Sequence, residues 1–404
     1  MKYFEMIVTQ ALQLHQSGRL VEAIQRYKKI LSEHPKDAQI FYLLGTAYAQ
    51  SGQYLLGIEN FKKSLKIDPH NLLALNNLGN ALKETKHYDA ALTYYKKALK
   101  IDPTFAPAHI NIGVIQFELK RFLEALESYD RAIKYQPQTP EIYNNLGNTL
   151  NKLKRFEEAI ECLDKAIAIR HNYAEAYDNK AIALFELKHY DEALTFYDKA
   201  IAIQPNFVDA YSNRGNAFCE LKRYDEALDD FGKVVALKPD YAEAYCNRGY
   251  ALHELKRYDE ALADYGMAIT LDSDYAEAYG NCGNALYVLK RYEEALTFYD
   301  KAIAIQPAFA KAYSNRGNAL HELKRYNEAL ADYDKAISLK PDIDYLYGVK
   351  LLTQMHLSNW ECFHENLDLF KRKIKNLEKV SVPFVVQGSL DSLDLQKLSV
   401  ETYT

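Results

Sequence analysis

Between Asp209 and Phe218 apolar side chains recur at spacings of three and four, the period of one face of a helix. A second amphipathic stretch, Asp225–Phe231, opens on Asp225 and Glu226, acids that suit the positive end of a helix dipole. Lys222 and Arg223, just before it, suit the negative end of the preceding helix. Pro239 then stops the second helix, because it has no N–H to donate and disfavours helix at the residue before it. The pattern predicts two short helices joined by a tight turn. Gly215 and Ala227 are small enough to let the two backbones approach, while Tyr211, Leu221, Tyr224 and Phe231 fill the space around them.

The same pattern returns every 34 residues without a gap. One column holds Gly45, Gly79, Gly113, Gly147, Gly215, Gly249, Gly283 and Gly317, with Ala181 in the fifth place. A second holds Pro35, Pro69, Pro103, Pro137, Pro205, Pro239, Pro307 and Pro341, with His171 and Ser273 as the departures. A third is alanine from Ala91 to Ala329. Nine units run from Ala38 to Ile343, and a weaker tenth, Phe4 to Asp37, precedes them. Lys120, Lys154, Lys188 and Lys222 stand at the inter-helix turn where the first two units have Gly18 and Gly52. Were that backbone left-handed, each lysine would cost up to roughly 1 kcal/mol relative to glycine.

These columns resemble the tetratricopeptide repeat family: aromatic at the fourth place, Gly at the eighth, Ala at the twentieth, aromatic at the twenty-fourth, Ala at the twenty-seventh and Pro at the thirty-second. The resemblance implies an all-α, right-handed superhelical solenoid of about ten helix-turn-helix units over residues 4–343, followed by C-terminal capping helices over 344–404. It also implies that the first helix of each unit lines a long concave face. In the tail, Tyr345 to Leu357 reads as a closing helix. Trp360, Phe363, Leu367, Phe370, Ile374 and Leu377 form an apolar stripe, and Ser392 to Tyr403 reads as a last helix.

Comparing the units with one another singles out two sets of residues. Arg214, Arg248 and Arg316 replace Leu78, Ile112 and Leu146 of other units, and Asp230, Asp264 and Asp332 follow sixteen residues later in those same three units. Arginine and aspartate arrive together, so we expect structural salt bridges Arg214–Asp230, Arg248–Asp264 and Arg316–Asp332. The second set is Asn77, Asn111, Asn145, Asn179, Asn213, Asn247, Asn281 and Asn315, a mid-helix position at which asparagine costs about 0.5 kcal/mol or more in helix propensity. Its amide offers donor and acceptor together, the complement of a peptide group. Packed helices repeat at roughly 10 Å and an extended chain advances about 3.3 Å per residue. One asparagine per unit therefore meets every third peptide group of an extended ligand, or else the amides bridge adjacent units. Glu141, Glu175, Asp209, Glu243 and Glu277, with Glu84, Glu118, Glu186, Glu220, Glu254 and Glu322, would give such a groove an acidic lean.

Composition narrows the function. A formal charge of −5 and the lack of recurring basic residues in the presumed groove argue against nucleic acid and anionic membrane. No apolar run is long enough to span a bilayer, and Glu5 interrupts the only apolar stretch at the N-terminus. Cys162, Cys219, Cys246, Cys282 and Cys362 are odd in number without C-x-x-C spacing, which fits free thiols in a reducing cytoplasm. His253 and His321 belong to different units without a third ligand, so neither metal nor other cofactor is expected. We expect a non-catalytic, cytoplasmic scaffold for extended segments of partner proteins. The run Met355–Trp360, then Ile374, Pro383-Phe384, Leu395-Gln396 and Tyr403, together with the asparagine column, resembles the connector and asparagine ladder of bacterial O-linked N-acetylglucosamine transferase (SPINDLY-like) proteins. That resemblance implies the alternative of a substrate-recognition portion of a glycosyltransferase whose catalytic domain is not in this sequence.

Overall fold

The computed structural model describes residues 2–343, 345–357 and 363–375. Among the described residues there are 22 α-helices and no strands. The helices pair as the period predicts: Leu72–Glu84 with Tyr88–Ile101, Ala106–Glu118 with Phe122–Tyr135, Ala242–Glu254 with Tyr258–Leu271. The result is an all-α solenoid of helix-turn-helix repeats.

Each turn has the same physical cause. The first helix ends on a left-handed residue, Gly18 and Gly52 at φ 77° and 75°, then lysine in every later repeat, from Lys86 at 60° to Lys324 at 62°. In one such turn the Arg223 N–H donates to the Phe218 carbonyl at 2.8 Å, and the Lys222 N–H to that of Cys219 at 2.9 Å. These two bonds recover carbonyls that the helix end would leave unpaired, and they require a left-handed residue between them. A second device, absent from our reading of the sequence, fixes the following helix. Arg155, Arg257, Arg291 and Arg325 precede their helices and grip the glutamate three residues on with both Nε and Nη2, as in Arg257 to Glu260 at 2.7 Å each.

Inside a repeat the eighth-place glycine lies against the side chain sixteen residues later, an aromatic ring except at Gly147, which meets Leu163. A Cβ on Gly79 would stand 2.4 Å from Tyr95 Cε1, and one on Gly249 2.7 Å from Tyr265 Cε1. These rings are among the most deeply buried side chains in the chain. Where Ala181 takes the glycine's place, Ala181 and Tyr197 are both buried. Where Arg170-His171 replaces proline, helix Phe156–Ile169 still ends on schedule. Arg170 there pairs with Glu141 of the preceding helix and covers the Tyr173 ring at 4.8 Å.

The chain divides into two compact units, residues 1–205 and 206–404. In the first unit, the successive first helices Ala38–Gln50, Leu72–Glu84, Ala106–Glu118, Pro140–Lys152 and Ala174–Glu186 pack on one another as well as on their own partners. The second unit repeats this among Val208–Glu220, Ala242–Glu254, Ala276–Val288 and Ala310–Glu322. Second helices show no comparable packing on one another among the described residues. After the last repeat, Leu346–His356 packs on Tyr326–Leu339 with Leu346 and Leu351 buried, and Lys350 Nζ lies 2.6 Å from Asp334 Oδ1. Phe363–Lys375 packs on Leu346–His356, burying Phe370. Trp360, Leu377, Pro383-Phe384 and the predicted helix over 392–403 lie outside the described residues.

Two variants test this account in urea unfolding. Lys256→Gly should gain up to about 1 kcal/mol by relieving a left-handed side-chain residue, and a loss of stability would contradict that strain. Gly249→Val should lose about 1–3 kcal/mol by driving two methyl groups toward Tyr265.

Candidate functional site

Within helix Ala242–Glu254, the residues Glu243, Asn247, Tyr250 and Glu254 follow one another at spacings of four, three and four. That spacing sets them on one stripe of the helix. The corresponding stripe of Val208–Glu220 is Asp209, Asn213, Asn216 and Glu220. The asparagine column is constant across eight first helices and all eight of its members are half-buried, while acids stand at both ends of the stripe only in Ala174–Glu186, Val208–Glu220 and Ala242–Glu254.

In the first unit, Asn77 Nδ2 donates to the Tyr42 hydroxyl at 3.3 Å, while Asn111 and Asn179 donate to Asn76 and Asn144 Oδ1 at 3.0 Å each. Asn145 has no side-chain partner among the described residues, because the residue thirty-five positions back is Ile110. In the second unit, Asn247 donates to Asn216 Oδ1 at 3.2 Å and Asn315 to Asn284 Oδ1 at 2.7 Å. Asn281 faces Cys246 Sγ at 3.6 Å, and Asn213 is half-buried at the start of this unit. The amides of Asn77, Asn111, Asn179, Asn247, Asn281 and Asn315 therefore bridge adjacent repeats, through one of the two N–H groups that each carries. Among the described residues, the Oδ1 atoms of Asn111, Asn145, Asn179, Asn247, Asn281 and Asn315 are neither hydrogen-bonded nor buried without a partner.

The flanking asparagines do internal work that our sequence reading did not assign. Tyr95, Tyr299 and Tyr333, the rings under the glycines, donate their hydroxyls to Asn80, Asn284 and Asn318 at 2.7, 2.9 and 3.0 Å. Burial raises the pKa of each of these hydroxyls above the ordinary tyrosine value, so they remain protonated donors.

The Arg–Asp columns meet as forked pairs. Arg214, Arg248 and Arg316 each donate Nε and Nη2 to the two carboxylate oxygens of Asp230, Asp264 and Asp332, at 2.6–2.8 Å. Each aspartate side chain is at most 9% exposed, so the guanidinium fork supplies what water would have supplied. Arg316 makes a third bond, Nη1 to Asp300 at 2.6 Å, and Gly232 stands at the corresponding place beside Arg248.

Other chemistry-bearing groups have structural explanations. Burial pushes the Cys246 thiol up to about 11 and those of Cys219 and Cys282 to about 12, which makes them poor nucleophiles. His321 Nδ1 meets Thr353 Oγ1 at 2.8 Å, and burial followed by His356 lowers its pKa. Among the described residues no three His, Cys, Asp or Glu side chains are grouped to hold a metal, and no helix is long and apolar enough to cross a membrane.

Family models of the tetratricopeptide repeat match residues 14–55, 73–105, 115–154, 138–206, 196–229, 215–256, 242–275, 283–324 and 310–343. The chain is a tetratricopeptide repeat protein. The repeats support a role as a protein-interaction scaffold. Similar solved structures include YrrB, described as "a TPR protein with an unusual peptide-binding site", at 27% identity over 49% of this chain and 98% of that one, with a TM-score of 0.39. Two structures of MamA share 26% and 25% identity over 40% and 42% of this chain and 94% and 92% of theirs, with TM-scores of 0.37 and 0.38. No curated protein matches the chain.

The forked pairs predict a specific double-mutant cycle. Asp264→Cys alone should lower stability by about 2 kcal/mol, since it leaves a half-buried guanidinium without its carboxylate. Combining it with Arg248→Leu, itself measured alone, recreates the Leu146/Cys162 pair of another repeat and should recover most of that loss. Additive losses in urea unfolding would show that the pair is not a unit.

Proposed function

We propose that the chain grips extended segments of partner proteins along the face formed by the first helices, over residues 4–343, with residues 344–404 capping that array. The observation that carries this reading is the state of the asparagine column. Each bridging N–H fixes the orientation of its amide, and the accessible Oδ1 and the second N–H are left to a ligand. A preorganised amide loses little freedom when a peptide group docks on it. Packing that is close between first helices and open between second helices bends a stack toward the first helices, which favours a concave, amide-lined face within each unit. The acids at both ends of the stripe in Ala174–Glu186, Val208–Glu220 and Ala242–Glu254 favour basic over acidic segments there.

The test is selection of peptides from a randomised display library on the full chain, followed by calorimetry with a selected peptide. One asparagine-to-alanine change should cost about 1 kcal/mol of affinity. The combined Asn179→Ala, Asn213→Ala, Asn247→Ala and Asn281→Ala variant should lose binding while keeping its helical circular dichroism. Undiminished affinity in that variant, or no selected peptide at all, would overturn the reading.

A further inference from the structure

One stripe position in the second unit breaks the pattern. Where other repeats have Asn80, Asn148, Asn216, Asn284 and Asn318, this one has Tyr250. Asn80, Asn284 and Asn318 accept hydroxyls from the core, an inward task, whereas Tyr250 is 42% exposed. Its ring meets that of Tyr224, from the preceding repeat, at 80° with centroids 6.4 Å apart, so the two form a corner on the surface. Tyr224 Oη donates to Glu254 Oε2 at 3.4 Å, which holds this carboxylate beside the corner, and His253 Nδ1 lies 3.4 Å from Glu254 Oε1. Glu220, the equivalent acid of the preceding repeat, is exposed and without an ion-pair partner among the described residues.

We propose that Tyr224, Tyr250, Glu220 and Glu254 form a pocket for one basic side chain, lysine or arginine, of the bound segment; the identification of that ligand as part of a peptide rests on the groove reading above. Aromatic faces attract a cation through their quadrupole, and carboxylates at the rim supply the full opposing charge. Neither group would accept an anion. The field at the corner is negative in keeping with this: the Tyr250 hydroxyl is pushed up to about 12 by burial, then by Glu254, with Glu220 adding to the effect. The pocket sits on the same helical stripe as Asn247, so a segment bonded to that amide would pass it within one side chain's reach.

The experiment uses the full chain with ¹³C-labelled tyrosine rings, titrated with N-acetyl-arginine methylamide and with its citrulline counterpart, which has the same shape without the charge. Tyr250→Asn, which restores the residue of the other repeats, assigns the Tyr250 signal. Arginine should shift the Tyr250 and Tyr224 signals saturably and citrulline should not. Glu254→Gln and Glu220→Gln should each weaken the response about threefold. Equal shifts with citrulline, or none with arginine, overturn the pocket. If the selected peptide binds normally while arginine gives no response, the pocket alone fails. If the arginine response persists and no peptide binds, the groove reading fails and the cation pocket stands.

Discussion

The contact on which seven repeats depend is that between a glycine backbone and a ring; Leu163 takes the ring's place against Gly147, and alanine takes the glycine's place at Ala11 and Ala181. At the eighth place of the first helix a hydrogen replaces a side chain, and the aromatic ring of the second helix occupies the space that a Cβ would claim. This sets how closely the two helices approach, and so where the outer faces of both can reach. In three repeats, those of Tyr95, Tyr299 and Tyr333, the hydroxyl of that same ring then passes between the helices to the asparagine that follows the glycine. A steric requirement in the interior thereby fixes a polar group on the surface.

Much of this is legible in the sequence because the chain states each requirement many times. A single Gly215 would say little; eight glycines at one register identify a backbone that must be approached closely. Exchange between repeats is as informative as constancy, and the partnership of Arg248 with Asp264 can be read from their joint replacement elsewhere. The direction of each asparagine amide cannot be read in that way. It depends on which side chain the neighbouring helix happens to offer: Asn76 to Asn111, Cys246 to Asn281, and only Ile110 to Asn145. The Tyr224–Tyr250 corner is hidden for a related reason, since it joins different places of two successive repeats and no single column contains it.

The left-handed lysines show how the pattern tolerates local disadvantage. Glycine would fit the backbone more easily, and the first two turns use it. The later turns hold lysine in the same conformation through the same two main-chain hydrogen bonds, and beside Lys154, Lys256, Lys290 and Lys324 an arginine–glutamate grip is added. Local preference gives way where the surrounding structure over-determines the geometry.

The strictly neighbourly packing has a consequence for how the chain comes into being. Among the described residues sustained contacts reach no farther than the next repeat, so none of them must wait for a distant stretch of polypeptide to arrive. Such a topology has low contact order and is expected to fold quickly. On the ribosome, each repeat could close as soon as its successor emerged, leaving only the newest pair of helices exposed to misfolding or proteolysis at any moment.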